Sequence, residues 1–299
     1  MPVGISSRLP SASISAPVAY QRIERVVLTD EVSRNLFAEY STHLNSERGN
    51  EEIGWVLMGQ RTPQEVLVLA TLPAGANRDA GAEHVQFNSD AQALAARIVR
   101  QRGKTLGIVG VVHTQPGSMR HPSAADYRGD RVWVKNLKGN EGVFAIGTTD
   151  AESGQGSEAV GHQPTTSAQA LGQLRFDWYT LGANDRNYQN VPVVLTLGPD
   201  WAIPLRPIWP IIEEHATRLA KLASQFKTVE FDVPSSEIGT LRVRIRLSEV
   251  GQAIHLVLHE KSVRCLYEAD GEVFQPDLPA GLAPDHGVYQ ILAELAARS

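Results

Sequence analysis

Apolar positions follow two rhythms along the chain. Val32, Leu36, Tyr40 and Leu44 recur every four residues behind Thr29-Asp30, which predicts an N-capped helix. Ala91, Leu94, Ala95, Ile98 and Val99 form a second helical stripe, capped by Asn88-Ser89-Asp90 and ending near Gly103. A third runs through Ile208, Ile211, Ile212, His215, Leu219, Leu222 and Phe226, with Glu213, Glu214, Arg218 and Lys221 left to face water. Before the first, between the first two and after the second lie short apolar runs of strand length: Arg25–Leu28, Glu52–Gly59, Val66–Leu72, Leu106–His113, Val143–Thr148, Phe176–Leu181 and Val191–Leu197. Ser123–Leu137 opens as another helix. Beyond residue 228 the rhythm becomes strict alternation, in Val229-Phe231-Val233, Leu241-Val243-Ile245-Leu247 and Ile254-Leu256-Leu258. Alternation of that kind predicts antiparallel strands with one wet face, and Val288–Ala297 closes the chain as a short helix.

These patterns divide the chain. Residues 1–22, rich in Ser, Pro and Ala, predict a disordered arm; 23–198 form one domain; 199–299 form a smaller α+β domain of a helix and an antiparallel meander. Within the first domain, residues 149–173 contain only Val160 and Leu171 as large apolar side chains, which predicts a flexible insertion.

Composition narrows the function. The 299 residues are 42% hydrophobic and carry a net charge of −5, which speaks against a nucleic-acid protein that relies on bulk positive charge. No apolar run approaches the roughly 20 residues of a membrane helix, and the first residues lack a secretory pattern, so the expectation is a cytoplasmic protein without membrane contact. The one cysteine, Cys265, sits among Val263, Leu266 and Tyr267 and reads as buried strand filler. It excludes an internal disulfide and a multi-cysteine metal site, so any metal falls to His, Asp or Glu.

One stretch is dense in such groups. His113 and Gln115 leave the end of the buried strand two residues apart, so they share a face, and two ligands at that spacing can converge on one ion. Ser123 and Asp126 share the first turn of the following helix. Each also has a plain structural reading. Ser123-x-x-Asp126 is a capping box, a lone histidine at a strand end is ordinary, and Glu51 and Glu52 would normally be the solvated edge of a strand. It is the joint spacing that points to chemistry.

That spacing resembles the motif of the JAB/MPN metalloproteases, the JAMM motif: His-x-His-Pro, six residues, then Ser-x-x-Asp, with a glutamate on an earlier strand. Here it runs His113-Thr114-Gln115-Pro116, Gly117–Pro122, then Ser123-Ala124-Ala125-Asp126, and the upstream segment is Glu52-Ile53-Gly54-Trp55-Val56-Leu57-Met58-Gly59. The resemblance covers about residues 23–197 and implies an α/β (α+β) fold of that family, a cytidine-deaminase-like mixed sheet flanked by helices. It further implies that His113, the residue at 115 and Asp126 hold one Zn²⁺ with a water in the fourth position. Glu52, rather than Glu51, would carry protons, and Ser123 would hydrogen-bond the oxyanion. Similar proteins cleave peptide or isopeptide bonds after the C-terminal glycine of ubiquitin-like proteins. Prokaryotic relatives occur beside such proteins and their activating and conjugating enzymes, which are the partners to expect.

The departure is Gln115, where the family has histidine. An amide oxygen is a weak donor for zinc, and losing an imidazole ligand should weaken metal binding by more than the roughly 10–100-fold of an outer-shell loss. The substitution is either a natural loss of metal or a change made on purpose. His121, in the loop, is an alternative ligand. Two functions follow: a zinc isopeptidase weakened at Gln115, or a non-catalytic MPN-type scaffold that binds a ubiquitin-like protein or partner subunits. A DNA-associated JAB protein is a third option that the charge does not favour. Residues 199–299 carry no motif and suit a partner-binding module or an oligomer interface.

Overall fold

A computed structural model describes residues 19–74, 79–80, 85–86, 89–115, 117–150, 163–198, 205–234, 236–279 and 281–298. The chain begins with β1 (Arg25–Thr29), α1 (Asp30–Leu44), β2 (Gly54–Arg61) and β3 (Glu65–Pro73). A small ribbon, β4 (Asp79–Ala80) and β5 (Val85–Gln86), precedes α2 (Ser89–Arg102). Then come β6 (Gly107–Thr114), α3 (Ala124–Trp133), β7 (Glu141–Thr148), β8 (Gln163–Thr165), β9 (Ala168–Leu171) and β10 (Leu174–Gly182). After β11 (Gln189–Asn190) and β12 (Val193–Thr196), the C-terminal part consists of α4 (Trp209–Gln225), β13 (Val229–Asp232), β14 (Leu241–Arg246), β15 (Ala253–His259), β16 (Ser262–Ala269), β17 (Glu272–Phe274) and α5 (Pro284–Arg298).

The first twelve strands, apart from the β4–β5 ribbon, make one mixed ten-stranded sheet in the order β12-β1-β3-β2-β6-β7-β10-β9-β8, with β11 on β10. β1 runs parallel to β3 and β12, and β6 parallel to β7; the other pairs are antiparallel. The sheet curls until its outer strands meet: β12 lies against β8, and Val193 N–H donates to Thr166 O at 3.1 Å. α1 is capped by Thr29, whose hydroxyl accepts from Val32 N–H, and its stripe of Val32, Leu36, Phe37 and Tyr40 is buried in a core with Val26, Leu28, Trp55, Phe176 and Trp178. This is the α+β architecture of a mixed sheet flanked by helices.

The second sheet, β13 to β17 in sequential antiparallel order, contains the three predicted strands and two more, β16 and β17. Its inner face packs on α4, and the same core takes in the stripe of α2 (Ala91, Leu94, Ala95, Ile98, Val99) and Leu69 and Leu72 of β3. α2 and α4 are in direct contact, and Gln101 of α2 donates to Val229 O (3.0 Å) and accepts from Phe231 N–H (2.7 Å) on β13. No helix among the described residues is long and apolar enough to cross a membrane.

Two sequence expectations need correction. The predicted flexible insertion of residues 149–173 holds β8, paired to β9, and β9, paired also to β10; residues 151–162 lie outside the described residues. A polar side chain fastens this ladder: Gln169, buried, donates to Ser33 Oγ (3.0 Å) and accepts from Trp178 Nε1 (3.2 Å). The predicted disordered arm is anchored from Tyr20 onward, where Tyr20 covers the Arg61 guanidinium and Gln21 N–H donates to Pro63 O; residues 1–18 lie outside the described residues.

Candidate functional site

β6 lies between β2 and β7, with His113 opposite Gly54 on one side and Ile146 on the other. Gly110 permits this: a Cβ there would fall 1.9 Å from the carbonyl oxygen of Val143. At the end of β6 the chain is pinned on both flanks. Gln115 N–H donates to Gly147 O at 2.9 Å, Thr114 N–H to Ile53 O at 2.8 Å, and Ile53 N–H to Thr114 Oγ1 at 3.0 Å. The last two bonds also hold the segment that carries Glu52.

Glu52 is 4% exposed, and its Oε2 lies 3.7 Å from His113 Nδ1. Glu51 turns elsewhere and pairs with Arg48. On the other side of the imidazole, Asp126 Oδ1 lies 3.5 Å from His113 Nε2. Asp126 gets there because Ser123 caps α3: Ser123 N–H donates to Asp126 Oδ2 at 2.6 Å, and Asp126 N–H to Ser123 Oγ at 3.2 Å. The Ser-x-x-Asp segment is therefore a capping box and part of the site at once. Gln115, 6% exposed, donates its Nε2 to Asp126 Oδ2 at 3.2 Å, while its Oε1 and His113 Nδ1 are buried without a hydrogen-bond partner among the described residues. His121, weighed above as a substitute ligand, instead meets Tyr179, ring nitrogen to hydroxyl at 3.0 Å.

The surroundings are acidic. Burial disfavours a charged His113, but Glu52, Asp126 and Asp130 outweigh it and hold its pKa above the ordinary imidazole value. Asp130, one turn beyond Asp126 on α3, is itself pushed up to about 6 by burial, against the opposing hydrogen bond from Tyr188 Oη at 2.7 Å. Sequence reading missed both groups. The helical i, i+4 spacing from Asp126 could have pointed to Asp130, whereas Tyr188 reaches the site only through the fold. A cleft of about 220 Å³ opens beside Gln115, lined by Tyr40, Leu44, Gly49, Glu51 and Thr149.

The residues can be tested against zinc. Tetrahedral ligands about 2.0–2.2 Å from the ion stand roughly 3.4 Å apart, and His113 Nε2 and Asp126 Oδ1 have that spacing. The third position does not fit. It offers an amide whose nitrogen is turned to the carboxylate that a metal would share, and no cluster of three His, Cys, Asp or Glu side chains suited to a metal occurs among the described residues. One imidazole and one carboxylate do not make a zinc site of ordinary strength.

Residues 33–159 match the family model described as prokaryotic homologs of the JAB domain. No curated protein matches the chain. The solution structure of protein DSY2949 from Desulfitobacterium hafniense is similar over 58% of this chain and 94% of that one, at 16% identity and a TM-score of 0.39, a likeness too slight to carry an argument.

Proposed function

Residues 33–159 are a JAB domain, and on that premise we propose that the chain engages the C-terminal glycine tail of a ubiquitin-like protein or its conjugate, on an isopeptidase framework whose hydrolysis position 115 has curtailed. The observation that supports it is the convergence of Glu52, His113, Ser123 and Asp126 from three separate elements onto one point at the end of β6. Glu52 stands beside the imidazole at the base of the site, where a proton carrier is needed between an attacking water and a leaving amine. Ser123 uses a lone pair to cap α3, which leaves its O–H to donate to a carbonyl oxygen as negative charge develops there. The cleft beside Gln115 supplies room for a narrow tail without large side chains. Zinc, which would activate the water and stabilise that charge, would find only His113 and Asp126 as strong ligands. The bond from Gln115 to Asp126 favours a second reading of the same surface, a scaffold that binds the tail without cleaving it.

The test is a cleavage and binding assay on a ubiquitin-like protein with a C-terminal Gly-Gly fused to a reporter. The chain as it stands should bind with little or no turnover. Gln115→His should bring zinc and cleavage, and Glu52→Gln added to that variant should remove turnover with zinc still bound, because Glu52 moves protons and does not ligate. Binding by both proteins with no cleavage by Gln115→His would establish the scaffold. A Gln115→His protein that neither binds nor cleaves any such fusion would refute the reading.

A further inference from the structure

We infer that the Gln115 amide takes the place of the metal, binding Asp126 as a cation would and keeping the site assembled without one. The Asp126 carboxylate is held by protein groups: Oδ2 accepts from Ser123 N–H (2.6 Å) and Gln115 Nε2 (3.2 Å), and Oδ1 faces His113 Nε2 (3.5 Å). The orientation of the amide follows from this. Turned over, Gln115 would set a carbonyl oxygen against a carboxylate with no hydrogen between them.

The arrangement leaves one neutral acceptor, Gln115 Oε1, buried and without a partner among the described residues. That penalty is smaller than setting the amide oxygen against a carboxylate oxygen, so the amide nitrogen stays on Asp126. For zinc to enter, the Gln115–Asp126 bond must break, and the side chain released then offers only a weak neutral oxygen. Asp126 thus holds the cap of α3 and the end of β6 together through Gln115, and the domain does not depend on metal for its structure.

The inference rests on the JAB reading for what the position once held, and its test is independent of substrate. Zinc content is measured on the full chain after dialysis against zinc and then buffer, and Tm is recorded in EDTA and in excess zinc. The expected result is well under one zinc per chain and a Tm that neither additive moves. Gln115→His should hold zinc, with Tm rising by about 5–10 °C at a hundredfold excess over Kd. Gln115→Glu keeps the shape but sets two carboxylates face to face; its Tm should fall in EDTA and recover when a divalent cation is added. Stoichiometric zinc on the unaltered chain, lost to EDTA with a drop in Tm, would overturn the inference and leave the isopeptidase reading standing. So would a Gln115→Glu protein as stable in EDTA as the unaltered chain. A metal-indifferent Tm with no affinity for any ubiquitin-like tail would do the reverse.

Discussion

The two sheets share one core, and Leu219→Ala tests whether they unfold as one. Leu219 is fully buried on α4, in the cluster that joins α2 and β3 to the inner face of β13–β15. Removing its isobutyl group from a closely packed site should destabilise by about 3 kcal/mol, within the 2–5 kcal/mol usual for such truncations. At about 2–4 °C per kcal/mol for a chain of a few hundred residues, Tm should fall by roughly 6–12 °C. The informative part is where the loss is felt. Calorimetry should show one transition for both proteins. Hydrogen exchange by mass spectrometry should show the amides of β6 and β7, remote from the mutation, losing protection together with those of β14 and β15. Two transitions, with only the β13–β17 sheet weakened, would refute the shared core as the source of cooperativity.

Four further outcomes are expected. Gly287 of α5 lies so close to β16 that a Cβ would fall 2.3 Å from Cys265 Sγ, so Gly287→Ala should destabilise by about 1–3 kcal/mol in denaturant unfolding, and Cys265→Ala in the same chain should relieve most of it. That thiol is pushed up to about 11 by burial, so alkylation of the native protein at pH 8 should be slow; rapid stoichiometric labelling would contradict its packing. Ser123→Ala should lower stability by about 1 kcal/mol in thermal melts through loss of the cap on α3, with or without zinc present. Burial opposes the charge on Asp285, yet Arg218 at 2.9 Å holds its carboxyl below the usual range. The stability it contributes is therefore present above the unfolded carboxylate pKa and is lost as pH falls through the folded one, so Asp285→Asn should flatten the acid side of a stability–pH curve and leave its alkaline side unchanged.

What the sequence disclosed followed periodicity. The α2 stripe was legible because five apolar side chains at helical spacing all bury. β16 was legible only around Cys265, since its eight residues mix exposures without alternating and only Cys265 is buried. Low apolar content made residues 163–171 read as loose chain. It misled because Gln169 enters the core by satisfying its amide on both sides, an option that a count of hydrophobic residues does not register. At the site, spacing alone brought His113, Ser123 and Asp126 into one group, and the strand–strand bonds at Ile53 set Glu52 beside them. The turn of the Gln115 amide toward Asp126 depends on a carboxylate eleven positions away, and the Tyr188–Asp130 bond joins residues 58 apart.

A sheet ordinarily ends in strands whose free N–H and C=O groups invite pairing with another chain, the route to aggregation and domain exchange. The ten-stranded sheet curls its two outer strands onto each other, and Pro164 in β8 has no N–H to present. In the smaller sheet, the side chain of Gln101 satisfies Val229 and Phe231 on β13 as a neighbouring strand would. At the far end of the smaller sheet β17 is left open, three exposed residues that include Val273 and Phe274. Strand exchange or fibril growth from the folded chain therefore has a starting point at β17, and a charge or a proline placed in Glu272–Phe274 would remove it.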